Sequence, residues 1–116
     1  MQYLLLIYVS ESEDAKRSPA ALEALHGEYT SFTQGIVQSG QLKGGERLKP
    51  ISSASTVRVR NGKTVITDGP FAETREQLGG YYMVEAKDQA EANAIAARIP
   101  GAKHGSIEVR PIWPMS

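Results

Sequence analysis

The stretch YLLLIYV, residues 3–9, is apolar at every position. A strand that is buried on one face alternates apolar with polar residues, whereas a strand that is buried on both faces is apolar throughout. The stretch is far too short to span a membrane, and the polar run SESEDAKR follows it directly. We therefore expect a central strand of a sheet that is covered on both of its sides.

The length and composition favour a simple organisation. The 116 residues predict one domain over residues 1–116, because a chain of this size can bury a core of its own. The absence of cysteine excludes disulfides, thiolate nucleophiles and cysteine-based zinc sites, and it fits a cytoplasmic location. The 13 Lys and Arg residues balance the 13 Asp and Glu residues, which argues against nucleic acid or a membrane surface as a partner.

A first helix is predicted after the polar run. Ser18 is a suitable N-cap, Pro19 fits the first helical position, and Gly40 supplies the stop. The apolar side chains between them recur at steps of three and four, so they form one stripe. The stripe consists of Leu22, Leu25, Tyr29, Phe32 and Ile36.

A second, shorter helix is predicted from Asp88, because Glu91 three residues later completes a capping-box pattern. Its buried stripe consists of Ala92, Ile95, Ala96 and Ile99. The helix ends before Pro100, and the segment SIEVRPIWP then reads as a last strand. Pro111 within that strand indicates an edge position, because proline has no N–H to donate to a neighbour.

The run STVRVR-NG-KTVIT predicts a β-hairpin, since Asn61-Gly62 is the pair favoured in a type I′ turn. That turn places Val57 opposite Ile66 on one face and Arg58 opposite Val65 on the other. The segment LKGGERLKP before the hairpin is interpreted as a glycine-rich connection.

The predicted order is strand, helix, two hairpin strands, strand, helix, strand. Apart from the extra hairpin strand, this is the βαββαβ order of a ferredoxin-like α+β sandwich, in which both helices cover one sheet face. The other face is then bare, although residues 3–9 are apolar on both sides. A second copy packed sheet against sheet is the simplest cover, so we expect a homodimer.

The connection between the hairpin and the next strand is unusually specific, with Asp68-Gly69-Pro70-Phe71 followed by Glu73 and Arg75. One interpretation is structural: the first three residues form a rigid turn and Phe71 fills the core. The other is functional: the same rigidity holds the Asp68 carboxylate at the mouth of a cleft, where it takes a proton or orients a ligand. The two interpretations are compatible.

The segments VITDGPFAETREQLGGYYMVEA and GSIEVRPI resemble the YCII-related family, in particular its DGPF branch, and the resemblance extends over nearly the whole chain. It implies a dimeric α/β barrel made of two ferredoxin-like subunits. It also implies a genomic association with extracytoplasmic-function sigma factors. One branch of the family removes chloride from a chlorinated hydroxyhydroquinone, with a histidine and an aspartate as the proposed acid/base pair.

The catalytic candidates follow partly from this resemblance. The family histidine lies on the first helix, about three turns before the glycine that ends it, and Tyr29 stands near that position here. His26 lies one turn earlier, and imidazole is the side chain best suited to proton transfer near neutral pH. We therefore predict His26 and Asp68 as the catalytic pair and Tyr29 as a substrate-binding residue near them. Alternatively, Tyr29 itself takes the place of the family histidine, with a phenol that is a poorer proton acceptor than imidazole. The alternative for His26 is a structural residue on the flank of the helix, and His104 is expected to be exposed and structural.

Further residues are candidates for substrate binding. Arg58 and Arg110 lie among apolar strand residues and either bind an acidic ligand or pair with a carboxylate such as Glu108 or Glu85. Tyr81 and Tyr82 face opposite ways in a strand, so one is a core or interface ring and the other lines a cleft. Phe71 completes the predicted substrate-binding set. Spacing supports no metal site, and the absence of phosphate-loop and dinucleotide motifs predicts no organic cofactor.

Two functions are consistent with these residues. The first is a small-molecule-binding protein that acts as an acid/base enzyme, lyase or hydrolase-like, on a small polar or aromatic compound. The second is a dimer without turnover that senses a ligand or contacts a sigma factor.

Overall fold

A computed structural model describes residues 1–114 of the chain. These residues form an α+β architecture of six strands and three helices. The strands are β1 (Gln2–Val9), β2 (Leu42–Arg47), β3 (Ser55–Arg60), β4 (Lys63–Asp68), β5 (Gln77–Glu85) and β6 (Ser106–Pro111). The helices are α1 (Glu11–Asp14), α2 (Pro19–Gln38) and α3 (Gln89–Ala97), and short 3-10 turns lie at Ile51–Ser53 and Pro100–Lys103.

Four strands form the main sheet in the order β2-β5-β1-β6, with every neighbouring pair antiparallel. This arrangement is compatible with the expected ferredoxin-like α+β fold. β1 lies inside the sheet and β6 lies at its edge, as Pro111 indicated. The uniformly apolar sequence of β1 therefore corresponds to an interior strand.

The side chains of β1 alternate between two environments. Tyr3, Leu5 and Ile7 are buried in the core, which they share with residues of α2 and α3. Leu4 and Leu6 point to the other face, where they are only half-buried. Within residues 1–114, the helices thus cover one face of the sheet and leave the second uncovered, and the sequence predicted that a second copy covers this second face.

Helix α2 begins and ends where the sequence indicated. The Ser18 hydroxyl accepts a hydrogen bond from the Ala21 N–H at 3.1 Å, which satisfies one of the free amides of the first turn. Gly40, just beyond the helix, has a φ of 76°, a conformation that glycine adopts without strain. Of the predicted stripe, Phe32 and Ile36 are buried, whereas Leu22 in the first turn is 47% exposed.

Helix α3 also begins at its predicted cap, because the Asp88 carboxylate accepts a hydrogen bond from the Glu91 N–H at 2.9 Å. The Glu91 carboxylate in turn accepts from the Lys87 N–H at 3.1 Å. Ala92, Ile95 and Ala96 are buried against the sheet. Small side chains let this helix approach the sheet closely.

The prediction for the segment LKGGERLKP was wrong. Residues 42–47 form β2, an edge strand of the main sheet paired with β5. Glycine has a low strand propensity, so Gly44 and Gly45 hid this strand. The close approach of β5 explains why Gly45 is small: a Cβ there would lie 2.9 Å from the Tyr81 carbonyl oxygen.

The hairpin forms as predicted, but its place in the fold was predicted wrongly. Asn61 has a φ of 53° and Gly62 a φ of 74°, as a type I′ turn requires. Val57 pairs with Ile66 and Arg58 with Val65. However, β3 and β4 form a separate two-stranded sheet, and neither strand is hydrogen-bonded to the main sheet. The hairpin is thus an insertion between β2 and β5.

Candidate functional site

The uncovered face of the main sheet is the first candidate surface, and we call it the open face. Its centre is apolar: Leu4 lies opposite Met83, and Leu6 lies opposite Tyr81. Tyr8 follows Leu6 on the same face after a bulge between Ile7 and Tyr8. These side chains are half-buried by one another and by the strands.

Charged residues surround this apolar centre. Glu108 and Arg110 lie opposite Leu6 and Leu4 and form an ion pair with each other. Sequence analysis left two roles for Arg110, binding an acidic ligand or pairing with a carboxylate. The ion pair with Glu108 corresponds to the second role. Glu46, on the edge strand β2, lies opposite Tyr81 on the same open face. Glu85 forms an ion pair with the amino terminus at the end of β5.

The two neighbouring tyrosines of β5 face opposite sides of the sheet. Tyr81 lies on the open face. The Tyr82 ring packs edge-on against Phe32, with ring centroids 5.2 Å apart, and its hydroxyl lies 2.8 Å from the Thr33 hydroxyl of α2. Tyr82 is thus the interior ring, and Tyr81 is the one available to a second molecule.

Tyr29 lies at the margin of the core between α2 and the 3-10 turn at Pro100–Lys103. Burial raises the pKa of its phenol, the Gly101 backbone opposes that rise, and the charge of Asp14 adds to it. A Cβ on Gly101 would lie 2.6 Å from the Tyr29 hydroxyl, so the turn fits closely over the ring. This contact holds the turn against α2.

His26 and Asp68 are both exposed, on α2 and at the end of β4. No hydrogen bond connects their side chains within residues 1–114, so the structure of one chain does not bring the predicted catalytic pair together. The backbone beside Asp68 is nevertheless fixed: Gly69, with a φ of 95°, donates its N–H to the Ala54 carbonyl at 2.7 Å. Its own carbonyl accepts from the Thr56 hydroxyl at 2.8 Å. The catalytic roles of His26 and Asp68 stay predictions.

The remaining predicted residues lie apart from one another. Phe71 is 80% exposed, so the interpretation in which it fills the core of its own chain is wrong. Its loop, residues 69–76, is largely exposed, and Glu73 and Arg75 are solvated there. Arg58 is half-buried on the hairpin opposite Val65, and within residues 1–114 its guanidinium forms no ion pair.

Two open hollows lie on the surface of the chain. The first, of about 320 Å³, is lined by Glu13, Lys16, Arg17 and His104. Lys16 pairs with Glu13 at 3.3 Å and Arg17 with Asp14 at 3.0 Å, so the charges of this hollow largely neutralise one another. The second, of about 240 Å³, lies between α3 and β6. Neither hollow is lined by a predicted site residue.

Two further findings apply to residues 1–114. No group of three or more histidine and carboxylate side chains is placed to hold a metal ion. No helix of that part of the chain is both long and apolar enough to cross a membrane.

The family assignment follows from comparison with known proteins. The sequence pattern of the YCII-related domain matches residues 1–116. The chain belongs to the YCII-related family. It is similar to uncharacterized protein R00369 of Rhizobium meliloti (strain 1021), with 36% identity over 114 residues, which cover 97% of this chain and 92% of that protein.

Sequence reasoning missed two residues of this YCII-related chain that bear on its candidate surfaces. Thr33 binds the interior tyrosine, and its position four residues after Tyr29 on one helix face was the available signal. Glu46 adds a carboxylate to the open face. It was missed because its segment was interpreted as a connection.

Proposed function

We propose that this YCII-related protein acts as a cytoplasmic homodimer that binds a small polar or aromatic molecule, with the open faces of the two copies packed against each other. The observation that supports the proposal most directly is the apolar centre of the open face. Contiguous apolar surfaces are typical of sites where another molecule binds.

A second copy suits this surface better than a different partner. In a twofold dimer the same patch occurs on both subunits, so Leu6 and Tyr81 of each copy meet an equally apolar surface. Burying such side chains contributes roughly 25 cal/mol per Å² of apolar area, and stable interfaces bury at least about 1,200 Å² in total. A four-stranded sheet face offers an area of that order.

The ligand is expected to lie where polar groups border the apolar centre of the dimer. Tyr81 offers an aromatic face and a hydroxyl, and the Glu108–Arg110 pair offers both a donor and an acceptor. Because the charge of Arg110 is already balanced, a neutral or weakly acidic ring such as a phenol suits this place. Small-molecule sites are commonly apolar with a few such polar groups.

An acid/base enzyme is the second candidate function. It is favoured by the firmly held backbone beside Asp68 and by the accessibility of His26 on α2. Since the two side chains do not meet within one chain, the binding function without turnover is the better supported of the two.

The dimer is tested by the molecular mass in solution of the wild-type protein, Leu6→Glu and Val37→Glu. Val37 is a matched control, because it is 56% exposed on α2, away from the open face. We expect the wild type and Val37→Glu to be dimers and Leu6→Glu to be a folded monomer, with circular dichroism confirming the fold. A monomeric wild type, or a dimeric Leu6→Glu, would contradict the proposal.

Ligand binding is tested on the same proteins by native mass spectrometry after mild purification and by thermal unfolding with phenol and benzoate. We expect a bound small molecule, or a raised midpoint, for the wild type and Val37→Glu but not for Leu6→Glu. Identical behaviour of all three proteins would argue against a site that depends on the dimer.

A further inference from the structure

The hairpin formed by β3 and β4 is attached to the rest of the chain by its two connections, residues 48–54 and 69–76. Within residues 1–114, neither of its strands pairs with the main sheet. Val57, Val59 and Ile66 share one face of the hairpin and are 60%, 61% and 66% exposed, so that face is not fixed by packing. The orientation of the hairpin therefore depends on what holds the two connections.

The first connection is held by Glu11 of α1. The Glu11 side chain is half-buried, and its carboxylate accepts a hydrogen bond from the Ile51 N–H at 3.0 Å. The Ile51 carbonyl accepts from the Ala54 N–H at 3.0 Å, and the Ala54 carbonyl accepts from the Gly69 N–H at 2.7 Å. These hydrogen bonds connect Glu11 to the residue that follows Asp68.

The second connection is held at the same point by Gln77. Its side-chain oxygen accepts a hydrogen bond from the Glu11 N–H at 2.9 Å, and its side-chain nitrogen donates to the Thr74 carbonyl at 2.6 Å. Gln77 lies opposite Val9 in the register of β5 with β1, which brings it next to Glu11 two residues later. Both connections of the hairpin are thus fastened at the end of β1.

The support for this fastening is firm, because α1 follows β1 directly. The Ser10 hydroxyl accepts a hydrogen bond from the Glu13 N–H at 3.2 Å and caps the helix. Arg17 forms an ion pair with Asp14 at 3.0 Å. A hydrogen bond accepted by a carboxylate is also stronger than one between neutral groups. Glu11 is therefore placed to hold Ile51 in a fixed position relative to the main sheet.

We infer that Glu11 and Gln77 are positioning residues that form a latch: together they fix the orientation of the hairpin, and with it the Asp68 carboxylate, relative to the main sheet. When the latch is removed, the hairpin keeps its own cross-strand pairing and turns about its two connections. The latch does not depend on the proposed dimer, whereas its consequence for proton transfer rests on the proposed role of Asp68.

A distance between the hairpin and the body of the chain tests the latch directly. Glu23 on α2 and Lys63 on the hairpin are both exposed, and the chain has no cysteine of its own. Glu23→Cys and Lys63→Cys are combined in one chain and carry spin labels, and pulsed electron spin resonance measures the distribution of the distance between them. Dilution with unlabelled protein restricts the signal to distances within one chain, so a monomer and a dimer are measured alike.

We expect one narrow distribution in the otherwise wild-type chain and in Glu11→Gln, whose amide oxygen still accepts a hydrogen bond. We expect a broad distribution in Glu11→Ala and in Gln77→Ala, which approaches the latch from the other strand. Circular dichroism confirms that each variant is folded. A distribution that stays narrow in either folded alanine variant would overturn the latch, whether or not the proposed dimer stands.

Two controls separate the latch from a general loss of stability. Glu13→Ala removes an exposed carboxylate of the same helix that pairs with Lys16. Asp88→Ala removes the cap of the distant helix α3 and is expected to destabilise the protein without touching the hairpin. Both should keep the narrow distribution, and an equal broadening in either would overturn the specific role of Glu11 and Gln77.

Hydrogen exchange of the Ile51 amide provides a second measurement. Losing one hydrogen bond speeds the exchange of a locally protected amide by roughly two- to tenfold, so we expect this acceleration in Glu11→Ala. Glu11→Gln should restore most of the protection. An Ile51 amide that exchanges equally fast in the wild type and Glu11→Ala would show that the carboxylate does not hold it in solution, and the latch would be overturned.

Discussion

The hydroxyl groups of Thr33 and Tyr82 lie 2.8 Å apart and connect α2 to β5 across the interior of the subunit. The same tyrosine ring packs edge-on against Phe32, so one side chain makes both a polar and an aromatic contact with the helix. Its neighbour Tyr81 points to the open face. The two adjacent tyrosines therefore serve different surfaces of one sheet.

We expect Tyr82→Phe to lower the free energy of unfolding by about 0.5–1.5 kcal/mol, because it leaves the Thr33 hydroxyl without its partner. Urea unfolding at one fixed protein concentration measures the change, since dimer formation makes stability concentration-dependent. Tyr81→Phe is the control and should change the value by less than about 0.5 kcal/mol. Equal losses in both variants would show that this hydrogen bond does not stabilise the subunit.

Gly80 lies where β5 passes close to the backbone of β2. A Cβ at this position would lie 2.8 Å from the Glu46 carbonyl oxygen, which belongs to the backbone and cannot move aside cheaply. We expect Gly80→Ala to destabilise the protein by about 1–3 kcal/mol, measured as the shift of the urea midpoint.

Gly27→Ala is the matched control for Gly80→Ala. A Cβ on Gly27 meets nothing within 4 Å, and alanine is a better helix former than glycine. We expect Gly27→Ala to stabilise the protein by up to about 1 kcal/mol. If both variants lost stability alike, the close approach of the strands would not be the reason for glycine at position 80.

Local patterns predicted much of the fold. The caps Ser18 and Asp88 and the Asn61-Gly62 turn were predictable because their hydrogen bonds and dihedral angles involve residues close in sequence. The register of the hairpin followed from its turn. β2 was missed because its glycines suggested a loop. Glycine is needed at position 45 because the β5 backbone passes close to it, and β5 lies far away in sequence.

The candidate site was less predictable for the same reason. Side chains alternate between the two faces of a strand, so the sequence predicted that Tyr81 and Tyr82 face opposite sides. Which of the two rings faces the helices depends on the register between β5 and β1. The sequence predicted an apolar hairpin face, yet whether the main sheet covers that face depends on the 48–54 connection. The relation of His26 to Asp68 depends on the placement of two remote elements, which no local pattern specifies.

The Asp88 carboxylate caps α3 by accepting a hydrogen bond from the Glu91 N–H. Replacing it with alanine leaves that amide without a side-chain acceptor, so we expect Asp88→Ala to cost about 1 kcal/mol of unfolding free energy. Thermal and urea unfolding measure the loss. Lys87→Ala, an exposed substitution one residue earlier, should be nearly neutral, and an equal loss there would contradict a specific capping role.

The raised pKa of the Tyr29 phenol makes the stability of the protein depend on pH in the alkaline range. Burial raises the pKa of its phenol above the usual value near 10, so the folded chain retains this proton at a pH where the unfolded chain has lost it. The contribution of Tyr29 is therefore complete below pH about 10 and is lost as the pH rises through the folded-state pKa.

The comparison of wild type with Tyr29→Phe isolates this contribution, because the other tyrosines titrate in both proteins. We expect the difference in unfolding free energy between them to be constant up to pH about 9 and to shift against the wild type by pH about 11. Urea unfolding across this range measures it, with circular dichroism at each pH confirming that both start folded. A difference that stays constant throughout would show that the phenol of Tyr29 is not shielded from water in the folded protein.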